Sequence, residues 1–318
     1  MKIMNYIFDQ INQEIAQAQR ILLISHQKPD GDACGSVLGM LSYLQSIGKQ
    51  VGAFVADKPA SYFSYLPNID QISTDLSIFS QSWDVAIFLD SSDTPHTKAD
   101  MDKLSQTTII NIDHHISNKQ YGKINYVDAQ ASSACEIVYN YLTYVGFAMD
   151  KRTATCLLSG IISDTGGFKN SATSLLAMDI TSNLIRAGAS VGNISNLVGM
   201  NKSINGLKLW GEVLSRLKTN AEYDIAYTYI KHSDFKKFNV SEEELDGFID
   251  FLNVIVDAKA AILFRLESEQ TRVSMRTTKN DVDLSQIASS FGGGGHKKAA
   301  GFTLDFALEE QNGELLIS

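Results

Sequence analysis

Asn111-Ile112-Asp113-His114-His115 is the stretch that decides how this chain of 318 residues is interpreted. The apolar run from Thr107 to Ile112 predicts a buried β-strand that ends at this aspartate. Two adjacent histidines after a strand are, taken alone, more often surface polar residues than metal ligands. Two earlier apolar runs also end in polar clusters: residues 21–25 lead into His26, Asp30 and Asp32, and residues 85–89 lead into Asp90. If the three strands are parallel neighbours, the clusters meet at the carboxyl edge of one sheet, where open α/β folds keep their sites.

The alternation of apolar runs with helical patterns predicts an α/β fold with a doubly wound, mostly parallel sheet. Strands are expected at 20–25, 51–56, 84–89 and 107–112, with helices at 3–19, 37–48 and 97–104, and the chain turns helical at 134–146, 153–162 and 174–187. In the simplest interpretation Asp32 is only a helix cap and Asp30-Gly31 only a turn.

Residues 188–205 are rich in glycine and asparagine and predict a linker or hinge; among them are Gly192, Asn193, Gly199 and Asn201. The expected domains are therefore 1–187 and 206–318. In the second, a helix at 206–219 and an acidic helix at 241–252 accompany strands at 225–230, 260–267, 271–277 and after Ala300. These strands look antiparallel and indicate a smaller α/β domain.

Composition excludes several classes of protein. No apolar run approaches the roughly 20 residues that span a bilayer, and the N-terminus lacks signal-peptide features, so a cytoplasmic location is expected. The three cysteines form no CxxC pair, which argues against a disulfide framework and a thiolate zinc site. A formal net charge of −9 has the wrong sign for a protein that tracks long nucleic acid.

Two glycine-containing segments have both a simple and a functional interpretation. Ser163-Asp164-Thr165-Gly166-Gly167 is typical of a helix C-terminus, or it directs Asp164 back at the strand-edge cluster. Phe291 to Gly301 contains four consecutive glycines followed by His296 and two lysines. A flexible connection is the simple interpretation; a loop whose amides wrap an anion is the functional one.

Histidine and aspartate ligands without sulfur suit Mn²⁺ or Mg²⁺, and sometimes Co²⁺ or Zn²⁺. With so many carboxylates in one crevice, two cations about 3.5–4 Å apart would lower the pKa of a bridging water and hold the oxygens of a phosphoryl group. The sequence therefore predicts hydrolysis of a phosphate ester by a hydroxide that two metals activate.

The ordered motifs resemble those of the DHH phosphoesterase superfamily, in the form found in bacterial oligoribonucleases and pAp phosphatases. The resemblance covers essentially the whole chain, including a DHH-associated C-terminal domain. Its motifs are His26-x3-Asp30-x-Asp32, Asp90, Asp113-His114-His115, Ser163-Asp164-Thr165-Gly166, Val273-Ser274-Met275-Arg276 and Gly292 to Gly301.

The resemblance implies a role for each matched residue. One metal would be held by His26, Asp30 and Asp90, and the other by Asp32, Asp90, His114 and Asp164, with Asp90 bridging. Asp113 would orient a ligand histidine, and His115 would stabilise charge at the scissile phosphate. The substrate would be bound across an interdomain cleft by Ser274, Arg276, Gly293, Gly294, Gly295 and His296.

The resemblance also implies two Mn²⁺ per chain, with Mg²⁺ or Co²⁺ as alternatives. The expected substrates are oligoribonucleotides of about two to five nucleotides, since few cations are clustered for longer strands, and 3′-phosphoadenosine 5′-phosphate (pAp). Neither long nucleic acid nor a membrane is an expected partner, and a homodimer is left open. Two alternatives remain: a soluble phosphodiesterase for pApA, pGpG or c-di-AMP, and a catalytically silent nucleotide sensor. Intact ligands at every matched position argue against the sensor.

Overall fold

The computed structural model describes residues 2–197, 202–311 and 314–317. The chain divides into two compact units, Met1–Val198 and Gly199–Ser318. The predicted linker at 188–205 contains a helix at Val191–Leu197, and its residues 198–201 lie outside the described ranges. No helix in these ranges combines the length and hydropathy needed to cross a bilayer.

The first unit is built on a six-stranded sheet in which all neighbours are parallel. Its order is β3-β2-β1-β4-β5-β6. The strands are β1 (Arg20–Ile24), β2 (Gln50–Phe54), β3 (Ile72–Ser73), β4 (Val85–Leu89), β5 (Thr108–Asp113) and β6 (Ile124–Val127). The strand order reverses between β1 and β4, and parallel sheets bind ligands at such a reversal.

Within the described part of this unit, six helices accompany the sheet: α1 (Lys2–Gln17), α2 (Gly31–Ser46), α3 (Ala134–Tyr144), α4 (Lys151–Asp164), α5 (Leu175–Arg186) and α6 (Val191–Leu197). Their buried side chains join one core with Ile21, Leu23 and Ile87 of the sheet. The other face, with Leu22 and Phe88, is covered by short 3-10 turns and loops. The apolar pattern of residues 21–24 in β1 and of β4 follows from burial on both faces.

The second unit has a six-stranded mixed sheet of order β11-β12-β10-β9-β8-β7. Its strands are β7 (Lys218–Asn220), β8 (Ile225–Lys231), β9 (Ala260–Leu266), β10 (Thr271–Arg276), β11 (Gly294–His296) and β12 (Ala299–Leu304), and β13 (Leu308–Gln311) pairs with β14 (Glu314–Ile317). Its helices are α7 (Ile204–Ser215), α8 (His232–Phe238), α9 (Phe248–Phe251) and α10 (Leu284–Ser290). α7 to α9 contribute to one core and α10 to another.

The α/β fold with a parallel sheet and a second, smaller sheet-containing unit is confirmed, but several predicted elements are wrong. The helix expected at 97–104 is a 3-10 turn at Pro95–Thr97 followed by further turns, because Lys98 adopts a φ of 55°. The acidic helix at 241–252 is broken by Gly247, whose φ is 78°. The second sheet is not wholly antiparallel, since β8 and β9 run parallel.

Candidate metal centre

The three strand-end clusters come together at the carboxyl edge of the first sheet. His26 follows β1, Asp90 follows β4, and Asp113 ends β5. Because β4 pairs with both β1 and β5, Asp90 lies between the other two clusters. The topology alone therefore explains why residues separated by more than sixty positions share one site.

Asp90 occupies the centre of the cluster. Its Oδ2 lies 3.3 Å from His26 Nε2, and its Oδ1 lies 3.5 Å from His114 Nε2 and 3.6 Å from His115 Nδ1. The residue is 2% exposed and has a φ of 53°, a left-handed conformation that aspartate tolerates better than most residues. Among the described residues, Oδ1 accepts no hydrogen bond. A buried carboxylate oxygen in this situation is suited to a cation.

His26 and Asp30 form one side of the centre. His26 Nδ1 donates a hydrogen bond to Gln27 O at 2.8 Å, which leaves Nε2 directed at Asp90 and, at 4.0 Å, at Asp30. Asp30, and not Asp32, is the cap of α2: its Oδ1 accepts from the amides of Asp32 and Ala33. The tight turn from β1 into α2 therefore delivers both side chains to the edge.

Asp32, His114 and Asp164 form the other side. His114 Nε2 lies 3.0 Å from Asp164 Oδ2 and 3.8 Å from Asp32 Oδ2. Asp164 is the last residue of α4, and Gly166 and Gly167 follow with φ values of 58° and 69°. Helix α4 thus ends at Asp164, as the helix-end interpretation expects, and the Asp164 carboxylate lies in the cluster, as the functional interpretation expects.

Asp113 fixes the two histidines that follow it. Its Oδ1 accepts a hydrogen bond from the His114 amide and one from His115 Nδ1, each at 2.8 Å. Asn118 Nδ2 donates to the other oxygen. Asp113 thus contacts the ring of His115 and the backbone of His114, and its role in orienting a ligand histidine stays a prediction.

Burial and mutual charge shift the pKa values of these groups strongly. Burial lowers the pKa of His26, but its hydrogen bond and charge pairing with Asp90 outweigh this and raise the value to about 10. Burial raises the pKa of Asp90, yet His114 and His26 hold it well below its usual range. Burial also raises the pKa of Asp164 to about 6. A divalent cation bound among these carboxylates would compensate the same negative charge.

The donor set fits a divalent cation. Three groups of donor atoms each lie within 4.8 Å of one another: Asp90-Asp113-His114-His115, His26-Asp30-Asp90 and Asp32-His114-Asp164. All donors are carboxylate oxygens or imidazole nitrogens, and the three cysteines are buried free thiols. Oxygen-rich sites with imidazole suit Mn²⁺ and related ions better than thiophilic ones.

Four of the predicted substrate residues share one face of the second sheet. Strand β12 lies between β10 and β11. Its Gly301 pairs with Ser274 of β10 and Gly294 of β11, and its Ala299 pairs with Arg276 of β10 and His296 of β11. Directly paired residues of antiparallel strands point to the same face. The small residues of β12 therefore leave a shallow strip with Ser274 and Arg276 on one side and the β11 backbone on the other.

The expectation of an anion-wrapping glycine loop is wrong in its secondary structure, because Gly294–His296 forms the edge strand β11. Two of the glycines are required by packing. A Cβ at Gly293 would clash with Phe302, and one at Gly295, where φ is 134°, would lie 2.6 Å from Ala300 Cα. Gly294 has open space around it, so packing does not explain its lack of a side chain.

Arg276 is held by a neighbouring acid that the sequence did not single out. Its Nε donates to Asp250 Oδ1 at 2.5 Å and its Nη1 donates to Met275 O at 3.0 Å. Its side chain is 23% exposed.

Sequence reasoning also missed the segment Ser132–Glu136, although Ser133 and Glu136 have the spacing of a helix capping box.

Comparisons with known proteins agree with this arrangement. The DHH family N-terminal domain matches residues 20–161, and the DHHA1 domain matches residues 222–316. A bifunctional oligoribonuclease and PAP phosphatase NrnA from Thermus thermophilus is 26% identical, over 89% of this chain and 84% of its own length. The Bacillus subtilis protein of the same name is 27% identical, over 89% of both chains.

A solved structure has the same fold as this chain. The crystal structure of an exopolyphosphatase-related protein from Bacteroides fragilis superimposes with a TM-score of 0.87 at 26% identity, covering 94% of this chain and 91% of that one. The two domain matches, in this order, take in both compact units and most of the chain. The chain therefore belongs to the DHH family, with a DHHA1 domain following its DHH domain.

Proposed function

We propose that this protein is a metal-dependent phosphoric ester hydrolase that degrades short oligoribonucleotides to mononucleotides and dephosphorylates pAp to AMP. The observation that carries the proposal is the convergence of the His26, Asp90 and Asp113 clusters at one sheet edge. The relatives named as bifunctional oligoribonucleases and PAP phosphatases support the substrate class. An acidic chain with few clustered cations suits a substrate of about two to five nucleotides, since long strands are held by many phosphate contacts.

In this proposal two metal positions share Asp90. His26, Asp30 and Asp90 would hold one cation, and Asp32, Asp90, His114 and Asp164 would hold the other, with Mn²⁺ as the expected ion and Mg²⁺ or Co²⁺ as alternatives. When bound, such cations supply a water of lowered pKa and positive charge for phosphoryl oxygens. The Asp90 carboxylate suits the shared position because its two oxygens face different histidines.

His115 would act on the phosphate as a charged donor. Burial lowers the pKa of its ring, but its hydrogen bond to Asp113 and the charge of Asp90 raise the value above normal. Nδ1 donates to Asp113, so in this proposal a substrate oxygen would accept from Nε2. A protonated imidazole near the developing charge would stabilise the transition state.

The DHHA1 domain would supply substrate recognition. Ser274, Arg276 and His296, with the backbone at Gly293 to Gly295, would grip the far phosphate or the sugar. The guanidinium of Arg276 is suited to bidentate phosphate binding, and a phosphate would compete there with Asp250. The domain bounds 1–187, 188–205 and 206–318, and the cytoplasmic location, stay predictions.

The proposal is tested by product analysis. Metal-free protein supplied with Mn²⁺ should convert pAp into AMP and inorganic phosphate, and a dinucleotide into mononucleotides. The Asp90→Asn variant, tested beside it, should do neither. Turnover of c-di-AMP or pGpG with no release of phosphate from pAp would favour the dinucleotide phosphodiesterase, and nucleotide binding without any hydrolysis would favour the sensor.

A further inference from the structure

The first turn of α3 contacts one of the proposed metal ligands, and no role has yet been given to it. We propose that Ser132, Ser133 and Glu136 are positioning residues that fix the carboxylate of Asp32, and through it the affinity of one metal position. The inference rests on the proposed metal site. It concerns metal binding and not turnover, so the two can fail separately.

Asp32 is held by two backbone amides. The residue is 0% exposed, its Oδ2 accepts from Ala134 N at 2.6 Å, and its Oδ1 accepts from Cys135 N at 2.8 Å. These amides belong to the first turn of α3, where N–H groups have no partner within the helix. The partial positive charge of a helix N-terminus also favours a carboxylate there. Both oxygens of Asp32 are therefore fixed by the position of this turn.

The turn is itself fixed by buried side chains. Ser133 Oγ accepts from Glu136 N at 3.1 Å, and Glu136 Oε2 accepts from the amide of Ser132 at 3.1 Å and from its hydroxyl at 2.6 Å. Ser132 and Ser133 are fully buried, and Glu136 is 3% exposed. A buried carboxylate is costly unless it is hydrogen-bonded, so Glu136 holds Ser132 firmly against the start of α3.

α4 closes the remaining side of this cradle. A Cβ added at Gly160 would lie 2.6 Å from Asp32 Oδ1 and closer still to Cys135 Sγ. The oxygen that accepts from Ala134, Oδ2, is also the one that lies 3.8 Å from His114 Nε2. Little space is left for Asp32 to shift, so a change in the α3 turn is transmitted directly to the ligand oxygen.

The effect should fall on one metal position only. Asp32 belongs to the donor group with His114 and Asp164, and not to the group with His26 and Asp30. Groups that orient metal ligands typically contribute about 10- to 100-fold to metal affinity. Loss of the Ser133 cap should therefore weaken one equivalent of metal by about this factor and leave the other unchanged.

The chain offers a matched control for this test. Ser174 caps α5 as Ser133 caps α3, with its Oγ accepting from Ala177 N at 3.0 Å. Ser133→Ala and Ser174→Ala each remove one capping hydroxyl from a helix of the same unit. A role limited to helix stability predicts similar behaviour of the two variants. The positioning role predicts a difference between them in metal affinity.

The experiment is calorimetric titration of the full-length, metal-free protein with Mn²⁺, with a thermal melt of each variant. We expect one of two equivalents to bind about 10- to 100-fold more weakly in Ser133→Ala, and both to be unchanged in Ser174→Ala. If Ser133→Ala does not fold, Glu136→Met, which keeps a side chain of similar length but removes the oxygen that accepts both hydrogen bonds from Ser132, takes its place with the same expectation. Unchanged affinities, or equal losses in the Ser133 and Ser174 variants, would overturn the inference. If the wild type bound only one equivalent of Mn²⁺, an unchanged affinity for that equivalent in Ser133→Ala would also overturn the inference.

Discussion

Replacement of Asp90 by asparagine removes the charge at the centre of the cluster while keeping its shape. Asparagine also tolerates the left-handed φ of 53° that this position requires, so the fold should be retained. The carboxylate lies 3.3 to 3.6 Å from three imidazoles. Unit charges about 4 Å apart interact by about 4 kcal/mol at an effective dielectric constant of about 20. The lost interaction is thus large compared with the binding free energy of a metal, for which about 1.4 kcal/mol corresponds to a tenfold change in the dissociation constant.

We expect Asp90→Asn to weaken both metal equivalents by more than about 100-fold, since loss of a shared ligand should exceed the cost of losing an orienting group. His26→Ala, as the comparison, should weaken one. Calorimetric titration with Mn²⁺ measures both. In the metal-free variant, NMR should also show the pKa of His26 falling from about 10 toward its usual 6.5, because Asp90 contributes more than Asp30 or Gln27 to raising it. Two full equivalents bound with native affinity by Asp90→Asn would refute the shared-ligand reasoning.

Three further predictions concern recognition, pH and metal removal. Arg276→Ala should lose about 2–5 kcal/mol of transition-state stabilisation on pAp but retain hydrolysis of bis-p-nitrophenyl phosphate. The control is Arg265→Ala, because Arg265 is equally exposed and forms a similar ion pair. Equal losses on both esters in Arg276→Ala would contradict a recognition role. Burial raises the pKa of Asp234, but hydrogen bonds from Arg216 lower it below normal. Asp234→Asn should therefore reduce the free energy of unfolding by its full amount at pH 7, and the reduction should shrink as the pH falls through that lowered pKa. A difference in melting temperature between the two proteins that is constant with pH would argue against the pair. Chelation of divalent cations should lower the melting temperature, because bound metal stabilises the folded state by mass action; identical melts with and without Mn²⁺ would count against a metal centre.

The first sheet was predictable because its strands are short apolar runs that end in charged residues. The runs before His26, Asp90 and Asp113 each gave a strand within two residues of the observed bounds. Their convergence followed from the general rule that parallel strands present their carboxyl ends at one edge. Strand β6 was not predicted, because Ile124–Val127 has only four residues and a polar asparagine interrupts its apolar run.

The contacts that hold the ligands were less accessible to sequence reasoning. The support of Asp32 by Ala134 and Cys135 joins residues about a hundred positions apart through backbone amides, which leave no mark on side-chain identity. The short strand Gly294–His296 within the glycine run was missed for a related reason. Its shape is set by close approach to Phe302 and Ala300, and such packing depends on tertiary structure.

The proposed function is tested most directly by initial rates on a length series under one set of conditions. The series contains pAp and RNAs of about two, five and twenty-four nucleotides, each at low and moderate salt with Mn²⁺; affinity for long single strands depends on salt with a slope of about −0.7 per neutralised phosphate. We predict that the rate falls as the RNA lengthens and that the salt dependence stays small at every length. A rate that rises with length, together with a steepening salt dependence, would contradict a short-substrate phosphoesterase and indicate a single-strand exonuclease.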